Sequence, residues 1–158
     1  MIQIEMQDGG IIRLQLDDTA APKTVANFKK LVSEGFYDGL GFHRIIAGFM
    51  IQGGDPLGNG MGGAKEQIPG EFTENGHPNP LSHKRGVISM ARAQDPNSAS
   101  SQFFICHADA TFLDGKYAAF GQVTEGMDIV DKIANAETDF RDRPLKPQIM
   151  KKVTLVDD

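Results

Sequence analysis

Arg44 is the residue whose surroundings most clearly indicate chemistry. It lies at the centre of the apolar segment FHRII, where a two-residue period places it on one face with Phe42 and Ile46. An arginine on a strand usually faces solvent, because arginine is rarely buried without a partner. Two further apolar segments, however, carry Gln52 and Gln102 beside aromatic residues. This combination is typical of an apolar pocket with a few placed hydrogen-bonding groups.

Nucleophilic catalysis has little support in the sequence. Cys106 follows the apolar run FFI, where a thiol is usually a small buried hydrophobe with a raised pKa. The G-x-S-x-G pattern of a serine hydrolase does not occur. We therefore expect Cys106 to be structural.

Nucleotide binding is suggested only by a match to a short sequence pattern. The run from Gly58 to Gly63 satisfies G-x-G-x-x-G, but that fingerprint requires a strand before it and a helix after it. Pro56 precedes the run and Pro69-Gly70 follows it, so neither element is expected. The sequence predicts a structural loop here.

Metal binding is equally weakly supported. None of the histidines, His43, His77, His83 and His107, has the spacing of a helical ligand pair. His77 and His83 flank a proline-containing loop, and we expect both to be solvated. No metal and no cofactor are predicted.

The elements that would position these residues are mostly strands. Ile2, Ile4 and Met6 alternate with polar residues, and so do residues 12–16 after the turn sequence DGG. The patterns predict helices at 19–35 and 126–135, short strands at 42–46, 49–53, 87–91, 102–106 and 118–123, and a closing strand at 148–156 with Ile149, Lys151, Val153 and Leu155 on one side. Such a series suggests a closed antiparallel barrel with helices at its ends. The long connections in 53–85 are uncommon unless functional.

Composition narrows the function classes. The 158 residues fit a single domain, 1–158, and 40% hydrophobic with 23% charged residues argues against disorder. A net charge of −5 provides no basic field for nucleic acid. One cysteine excludes an intramolecular disulfide, and no apolar run approaches the roughly 20 residues that cross a bilayer. The N-terminus lacks a signal-peptide pattern, so we expect a cytoplasmic monomer without membrane contact.

Three segments carry a family resemblance: FHRIIAGFMIQGGD (42–55), SQFFIC (101–106) and FLDGKYAAFGQVTEGMDIV (112–130). They closely resemble the cyclophilins, the cyclosporin-binding peptidyl-prolyl cis-trans isomerases, and the similarity runs in order from Ile11 to Val156. It implies a mainly β fold, a closed eight-stranded antiparallel β-barrel capped by two α-helices.

The resemblance also implies a site, with Arg44 as the catalytic arginine. It places Phe49, Met50, Phe104 and Leu113 in a proline pocket, Gln52 and Gln102 on its hydrogen-bonding wall, Ala91 and Arg92 beside the substrate backbone, and Phe112 and Tyr117 on the rim. The best-known eukaryotic members carry tryptophan at Phe112, histidine at Tyr117, asparagine at Arg92 and proline at Ala47. These departures bear on inhibitor affinity and substrate preference more than on the reaction.

The implied reaction rotates an X–Pro peptide bond and neither makes nor breaks a bond, so it requires no cofactor. Expected partners are proline-containing peptides, unfolded or folding proteins and, with reduced affinity, cyclosporin. The alternative is a proline-peptide binding or chaperone-like module with little turnover. Arg44 favours the enzyme, because a pure binder has no need of it.

Overall fold

The computed structural model describes residues 1–157. Along the chain the elements are β1 (Ile2–Met6), β2 (Ile11–Leu16), α1 (Pro22–Ser33), β3 (Phe42–Ile46), β4 (Met50–Gly53), β5 (Val87–Met90), β6 (Phe103–Cys106), β7 (Ala119–Glu125), α2 (Met127–Ala134) and β8 (Met150–Leu155). Single turns of 3-10 helix lie at Thr73–Asn75 and Thr111–Leu113. The predicted strands and helices are confirmed, with small differences at their ends.

The strands form one antiparallel sheet in the order β3-β4-β6-β5-β7-β2-β1-β8. The hairpin between β1 and β2 turns at the predicted DGG sequence. Gly9 has a φ of +94°, which favours glycine, and the Gly10 amide donates to Asp8 Oδ1 over 2.9 Å.

The expected closed barrel is not what the structure shows. Edge strands β3 and β8 share no strand ladder in residues 1–157, and the eight strands form a curled half-barrel. The two edges meet just outside the strands, where Gly41 pairs with Ile149 and the Met150 amide donates to the Leu40 carbonyl over 2.8 Å. Each edge strand also carries a bulge in the ladder with its own neighbour, β8 with β1 and β3 with β4, and a bulge bends the strand locally.

The bulge beside β8 also overturns the predicted face of that strand. Glu5 pairs with Lys152 and Met6 with Met150, so Lys151 is an extra residue. Met150 and Val153 are buried, whereas Lys151 and Leu155 are exposed. The expected alternation of 149, 151, 153 and 155 on one side is therefore wrong.

Helix α1 begins at Pro22, whose missing N–H costs nothing in the first turn. Its N-terminus has no side-chain cap of its own; buried Glu71 accepts instead from the Lys23 amide at 3.2 Å and the Thr24 amide at 2.6 Å. The helix pattern Val25, Phe28 and Val32 packs into the core as predicted. A carboxylate is favourable at this helix end.

Strands β4 and β6 are buried on both faces. Ile51, Phe103 and Ile105 point into the main core, whereas Phe104 and Cys106 belong to a second cluster on the outer face. This explains why FFIC is a continuous apolar run, because neither face has to be polar. The second cluster is the floor of the candidate site.

No helix within residues 1–157 has the length and apolar character needed to cross a bilayer.

Candidate functional site

A bulge in β3 decides where Arg44 points. Phe42 pairs with Gly53 and Arg44 with Gln52, so two steps along β3 oppose one step along β4. Phe42 is consequently buried in the main core, while Arg44 is exposed on the outer face with Ile46. The expectation that Arg44 shares a face with Phe42 is wrong. The expectation that it shares a face with Ile46 is confirmed.

The outer face carries a cavity of about 140 Å³. It brings together nine of the residues that the resemblance selected: Arg44, Phe49, Met50, Gln52, Ala91, Arg92, Phe104, Leu113 and Tyr117. Met50, Phe104 and Leu113 are buried and form its apolar floor. An apolar cavity of about 150 Å³ accepts a benzene ring, so this one is of a size for a five-membered ring.

Arg44 stands at the cavity with few competing contacts. Its Nη1 lies 3.5 Å from Gln52 Oε1, a long separation for a hydrogen bond, and no ion pair to Arg44 is present in residues 1–157. The guanidinium therefore keeps most of its five N–H donors available to a ligand.

Two glutamines form the wall between this cavity and a neighbouring cleft. Gln52 Nε2 donates to Gln102 Oε1 over 2.9 Å, and Gln102 Nε2 donates to the carbonyls of Gly60 and Gly62 at 3.1 and 2.7 Å. Gln102 thus lines the cleft rather than the 140 Å³ cavity. Its contacts hold the glycine run as a structural loop, as predicted.

That loop is ordered chiefly by Asp55, which is buried. Its carboxylate accepts from the amides of Leu57, Asn59 and Gly60 at 2.8, 3.1 and 2.6 Å. The adjoining cleft has a volume of about 540 Å³, and Gln52, Ala91 and Arg92 border both spaces. The two spaces make one continuous groove.

Arg92 is a wall residue whose guanidinium is already engaged. It donates to the Lys116 carbonyl at 3.1 and 2.8 Å and to the carbonyls of Ala93 and Gln94 at 3.0 and 3.2 Å. Its Cζ lies 4.8 Å from the ring centroids of both Phe72 and Tyr117. This cation–π sandwich fixes Tyr117.

Phe112 lies outside the cavity and forms an aromatic rim. Its side chain is 66% exposed, and its ring packs on Phe49 with centroids 5.6 Å apart. A large aromatic ring exposed beside a cavity is typical of a surface that contacts a bound ligand.

His83 is buried behind the cavity, so the expectation that it is solvated is wrong. Its Nδ1 lies 2.9 Å from Asp114 Oδ1 and its Nε2 lies 2.9 Å from Ser89 Oγ. Burial lowers the pKa of His83, and Asp114 only partly opposes this. His77 is half-buried and contacts the Ala20 carbonyl at 3.2 Å. Asp114 lies 31 residues from His83 along the chain, so no local pattern indicated that contact.

Hydrogen bonds from Ser82 and His83 keep Asp114 ionised. Burial alone would raise the pKa of its carboxyl, but these donors outweigh burial and hold the pKa below its ordinary value. Cys106 lies nearby in the second cluster, and burial, with Asp114 and Asp109 adding, raises the pKa of its thiol to about 12. At neutral pH the cysteine is therefore an inert thiol.

The sheet and the outer-face cavity agree with a cyclophilin-like fold, and comparison with known proteins gives the same class. The family model described as cyclophilin type peptidyl-prolyl cis-trans isomerase/CLD matches residues 1–155. The chain belongs to the cyclophilin family of peptidyl-prolyl cis-trans isomerases.

Individual relatives carry the same description. A peptidyl-prolyl cis-trans isomerase of Schizosaccharomyces pombe is 44% identical over 158 residues, which is 98% of this chain and 100% of the relative. Peptidyl-prolyl cis-trans isomerase B of Bacillus subtilis is 46% identical over 132 residues, covering 84% and 89% of the two chains.

The fold is also similar to a solved cyclophilin. The crystal structure of a cyclophilin type peptidyl-prolyl cis-trans isomerase from Cryptosporidium parvum, determined in the presence of the dipeptide Ala-Pro, superposes with a TM-score of 0.90. The two are 32% identical, and the similarity covers 99% of each chain.

Proposed function

We propose that residues 1–158 act as one domain that catalyses rotation about X–Pro peptide bonds, with Arg44 stabilising the twisted imide. The observation that carries the mechanism is the placement of Arg44 beside a cavity of about 140 Å³ whose floor is apolar. Because rotation makes and breaks no bond, the chemistry requires neither nucleophile nor metal.

Arg44 acts on the transition state. Rotation breaks amide resonance against a barrier of about 18–20 kcal/mol, and in the twisted state the proline nitrogen recovers its lone pair. A donor aimed at that nitrogen binds the transition state more strongly than either ground state. Arginine suits the role, because it remains charged and is less strongly hydrated than lysine.

The apolar floor holds the substrate while the bond turns. A proline ring buried against Phe49, Met50, Phe104 and Leu113 contributes about 1.5–3 kcal/mol, as other apolar side chains do. The ring is thereby anchored, and the carbonyl of the preceding residue is the part that rotates. Exclusion of water also strengthens the hydrogen bond from Arg44.

The wall and rim receive the rest of the substrate. Gln52, Gln102, Ala91 and Arg92 border the groove in which the chain flanking the proline lies, and Phe112 and Tyr117 complete the rim. Substrates are proline-containing peptides and unfolded or folding proteins; the Ala-Pro dipeptide used with the Cryptosporidium parvum relative supports this class. Cyclosporin occupies the same groove with reduced affinity. The monomeric state and the cytoplasmic location stay predictions.

The test compares Arg44→Ala and Arg44→Lys with the wild type. Exchange NMR on an X–Pro peptide measures the rate of cis–trans interconversion without a coupling protease, and titration gives peptide affinity. We expect Arg44→Ala to lower kcat/KM by about 10²–10³-fold, as loss of one preorganised donor does, with little change in peptide affinity. Arg44→Lys should recover part of the activity.

Two outcomes separate the candidate functions. Near-normal turnover by Arg44→Ala would remove Arg44 from the mechanism. Peptide binding by the wild type without acceleration of exchange would establish the alternative, a proline-peptide binding module.

A further inference from the structure

His107 joins the turn between β3 and β4 to helix α2. It follows β6 directly, and its Nδ1 accepts the Gly48 amide over 2.8 Å. Its Nε2 lies 3.0 Å from Asp131 Oδ1 on α2. The imidazole is only 16% exposed, whereas Gly48 lies at the protein surface and the Asp131 side chain is 36% exposed.

These two contacts define the protonation state of the ring. Nδ1 accepts a hydrogen bond, so it carries no proton, and the single N–H of the neutral imidazole lies on Nε2 and faces Asp131. A second proton would have to occupy Nδ1, where it would face the Gly48 N–H. The neutral ring satisfies both neighbours, and the charged ring cannot.

The turn held by His107 carries a wall of the cavity. The Phe49 amide closes the turn on the Ile46 carbonyl over 3.0 Å, and the His107 amide donates to the Phe49 carbonyl over 2.9 Å. Phe49 then lines the cavity and packs on Phe112. The imidazole and the backbone of His107 therefore fix the turn at two successive residues.

Charged groups around His107 come from three sides. Asp131 faces it from α2, and Arg85, on the segment before β5, binds Asp131 at 2.7 and 2.8 Å and the His107 carbonyl at 2.8 Å. Asp109 accepts the Arg85 amide over 2.8 Å and forms an ion pair with Lys84 at 3.8 Å. Hydrogen bonds from Arg85 hold the pKa of Asp131 below its ordinary value, so that carboxylate stays charged. The turn presents only the Gly48 backbone.

We propose that His107 is a positioning residue that makes the proline pocket sensitive to pH: the neutral ring holds the turn at Gly48, and protonation releases it. This inference rests on the proposed function. Acidification removes the Nδ1 acceptor, while Asp131 retains its partner on Nε2. The ring then stays on α2 and the turn with Phe49 separates from it. The expected loss is about two- to tenfold, the equivalent of one hydrogen bond.

Two amide substitutions separate the contacts. His107→Asn keeps an oxygen near the position of Nδ1 and loses the reach to Asp131, whereas His107→Gln keeps a donor near Nε2 and loses the acceptor for Gly48. Neither amide side chain is a titratable group. His77→Asn is the matched control, because His77 contacts the Ala20 carbonyl and borders neither the cavity nor the cleft.

The experiment is exchange NMR on an X–Pro peptide from pH 5 to 8. Wild-type kcat/KM should fall about two- to tenfold on acidification, chiefly through KM, and His77→Asn should follow it. His107→Asn should stay near the wild-type value of pH 8 throughout, and His107→Gln should stay low throughout. In the wild-type protein, the Gly48 amide proton should exchange faster with solvent at pH 5 than intrinsic exchange predicts.

The outcomes distinguish this inference from the function on which it rests. In the wild-type protein, a Gly48 amide proton that shows no protection from exchange, or whose protection does not change with pH, overturns the inference. A pH profile of His107→Asn that parallels the wild type also overturns it. If the wild type fails to accelerate isomerisation at pH 8, the proposed function is what fails.

Discussion

The ring of Phe104 lies nearly parallel to the imidazole of His83, with centroids 5.9 Å apart and 18° between the planes. Phe104 is the floor of the cavity, and His83 is fixed behind it by Asp114 and Ser89. The floor of the pocket therefore rests on a buried polar group whose charge depends on pH. Protonation of that imidazole would destabilise the folded protein, because burial disfavours the charged form.

His83 should make the protein less stable in weak acid. Its pKa is lowered in the folded state, so below about pH 6.5 the unfolded chain binds a proton that the folded protein does not. Stability is then highest above the unfolded pKa and falls as pH decreases, by up to about 1.4 kcal/mol per pH unit. Urea unfolding at pH 5, 6, 7 and 8 measures this slope.

Comparison of slopes isolates His83 from other groups. His83→Gln should be less stable at pH 8, because it loses a fitted partner of Asp114, but its unfolding free energy should depend less steeply on pH. His77→Gln removes a half-buried histidine elsewhere and is unfolded over the same pH range for comparison. Equal slopes for His83→Gln and the wild type would contradict the buried neutral imidazole.

Arg92 should tolerate lysine poorly, although the charge is kept. Its planar fork reaches three backbone carbonyls between two aromatic rings, and an ammonium cannot reproduce that geometry. We expect Arg92→Lys to lower the unfolding free energy by about 1–3 kcal/mol. KM should rise several-fold with little change in kcat, because the wall moves and the donor Arg44 does not.

Arg141→Lys is the matched control. Arg141 lies 5.2 Å from the exposed ring of Phe140 and borders neither the cavity nor the cleft. This substitution should change stability by less than about 0.5 kcal/mol. Thermal unfolding measures the stability of both variants, and exchange NMR measures their activity. Similar effects at the two sites would argue against a special role for the contacts of Arg92.

Regular patterns made the elements predictable. The spacing of Val25, Phe28 and Val32 predicts a helix face, and all three are buried in the core. The continuous apolar run FFIC predicts a buried strand, which is β6. These local signals suffice because period and burial are coupled directly in a regular helix or strand.

Reasoning from local patterns failed where the sheet is irregular. Alternation placed Arg44 with Phe42, but the bulge at His43 reverses the face between them, and a bulge is set by pairing with β4. The barrel was expected to close, yet its edges β3 and β8 are joined in residues 1–157 only by an isolated bridge at Gly41 and Ile149 and by the backbone hydrogen bonds around it. The bulge depends on how β3 pairs with a second strand, and closure depends on contacts far apart in sequence; the alternation within one segment contains neither.

The residues that line the cavity were predictable through the family motif, whereas the buried residues packed behind them were not. The motif selects nine of the residues that line the cavity. It gave no sign of His83, whose partner Asp114 lies 31 residues away, nor of His107 beneath the turn. The contacts of these histidines form only when the tertiary fold brings their partners close, so the local sequence does not indicate them.

Phe112 should weaken cyclosporin binding relative to family members that carry tryptophan. The ring is 66% exposed and packs on Phe49 at the mouth of the cavity, where it can cover a bound inhibitor. Phenylalanine lacks the indole N–H and offers less area, and a lost hydrogen bond is worth about 0.5–1.5 kcal/mol. Phe112→Trp should therefore bind cyclosporin several-fold more tightly, since about 1.4 kcal/mol is tenfold in affinity.

The same substitution should leave isomerisation nearly unchanged, because a rim residue is not aimed at the twisted imide. Titration with cyclosporin while peptide exchange is followed measures both quantities in one experiment. Phe140→Trp, at a position 89% exposed that borders neither the cavity nor the cleft, adds an indole elsewhere and should leave both quantities unchanged. If Phe112→Trp and the wild type bind cyclosporin equally, Phe112 lies outside the inhibitor contact, and the assignment of Tyr117 to the same rim is weakened with it.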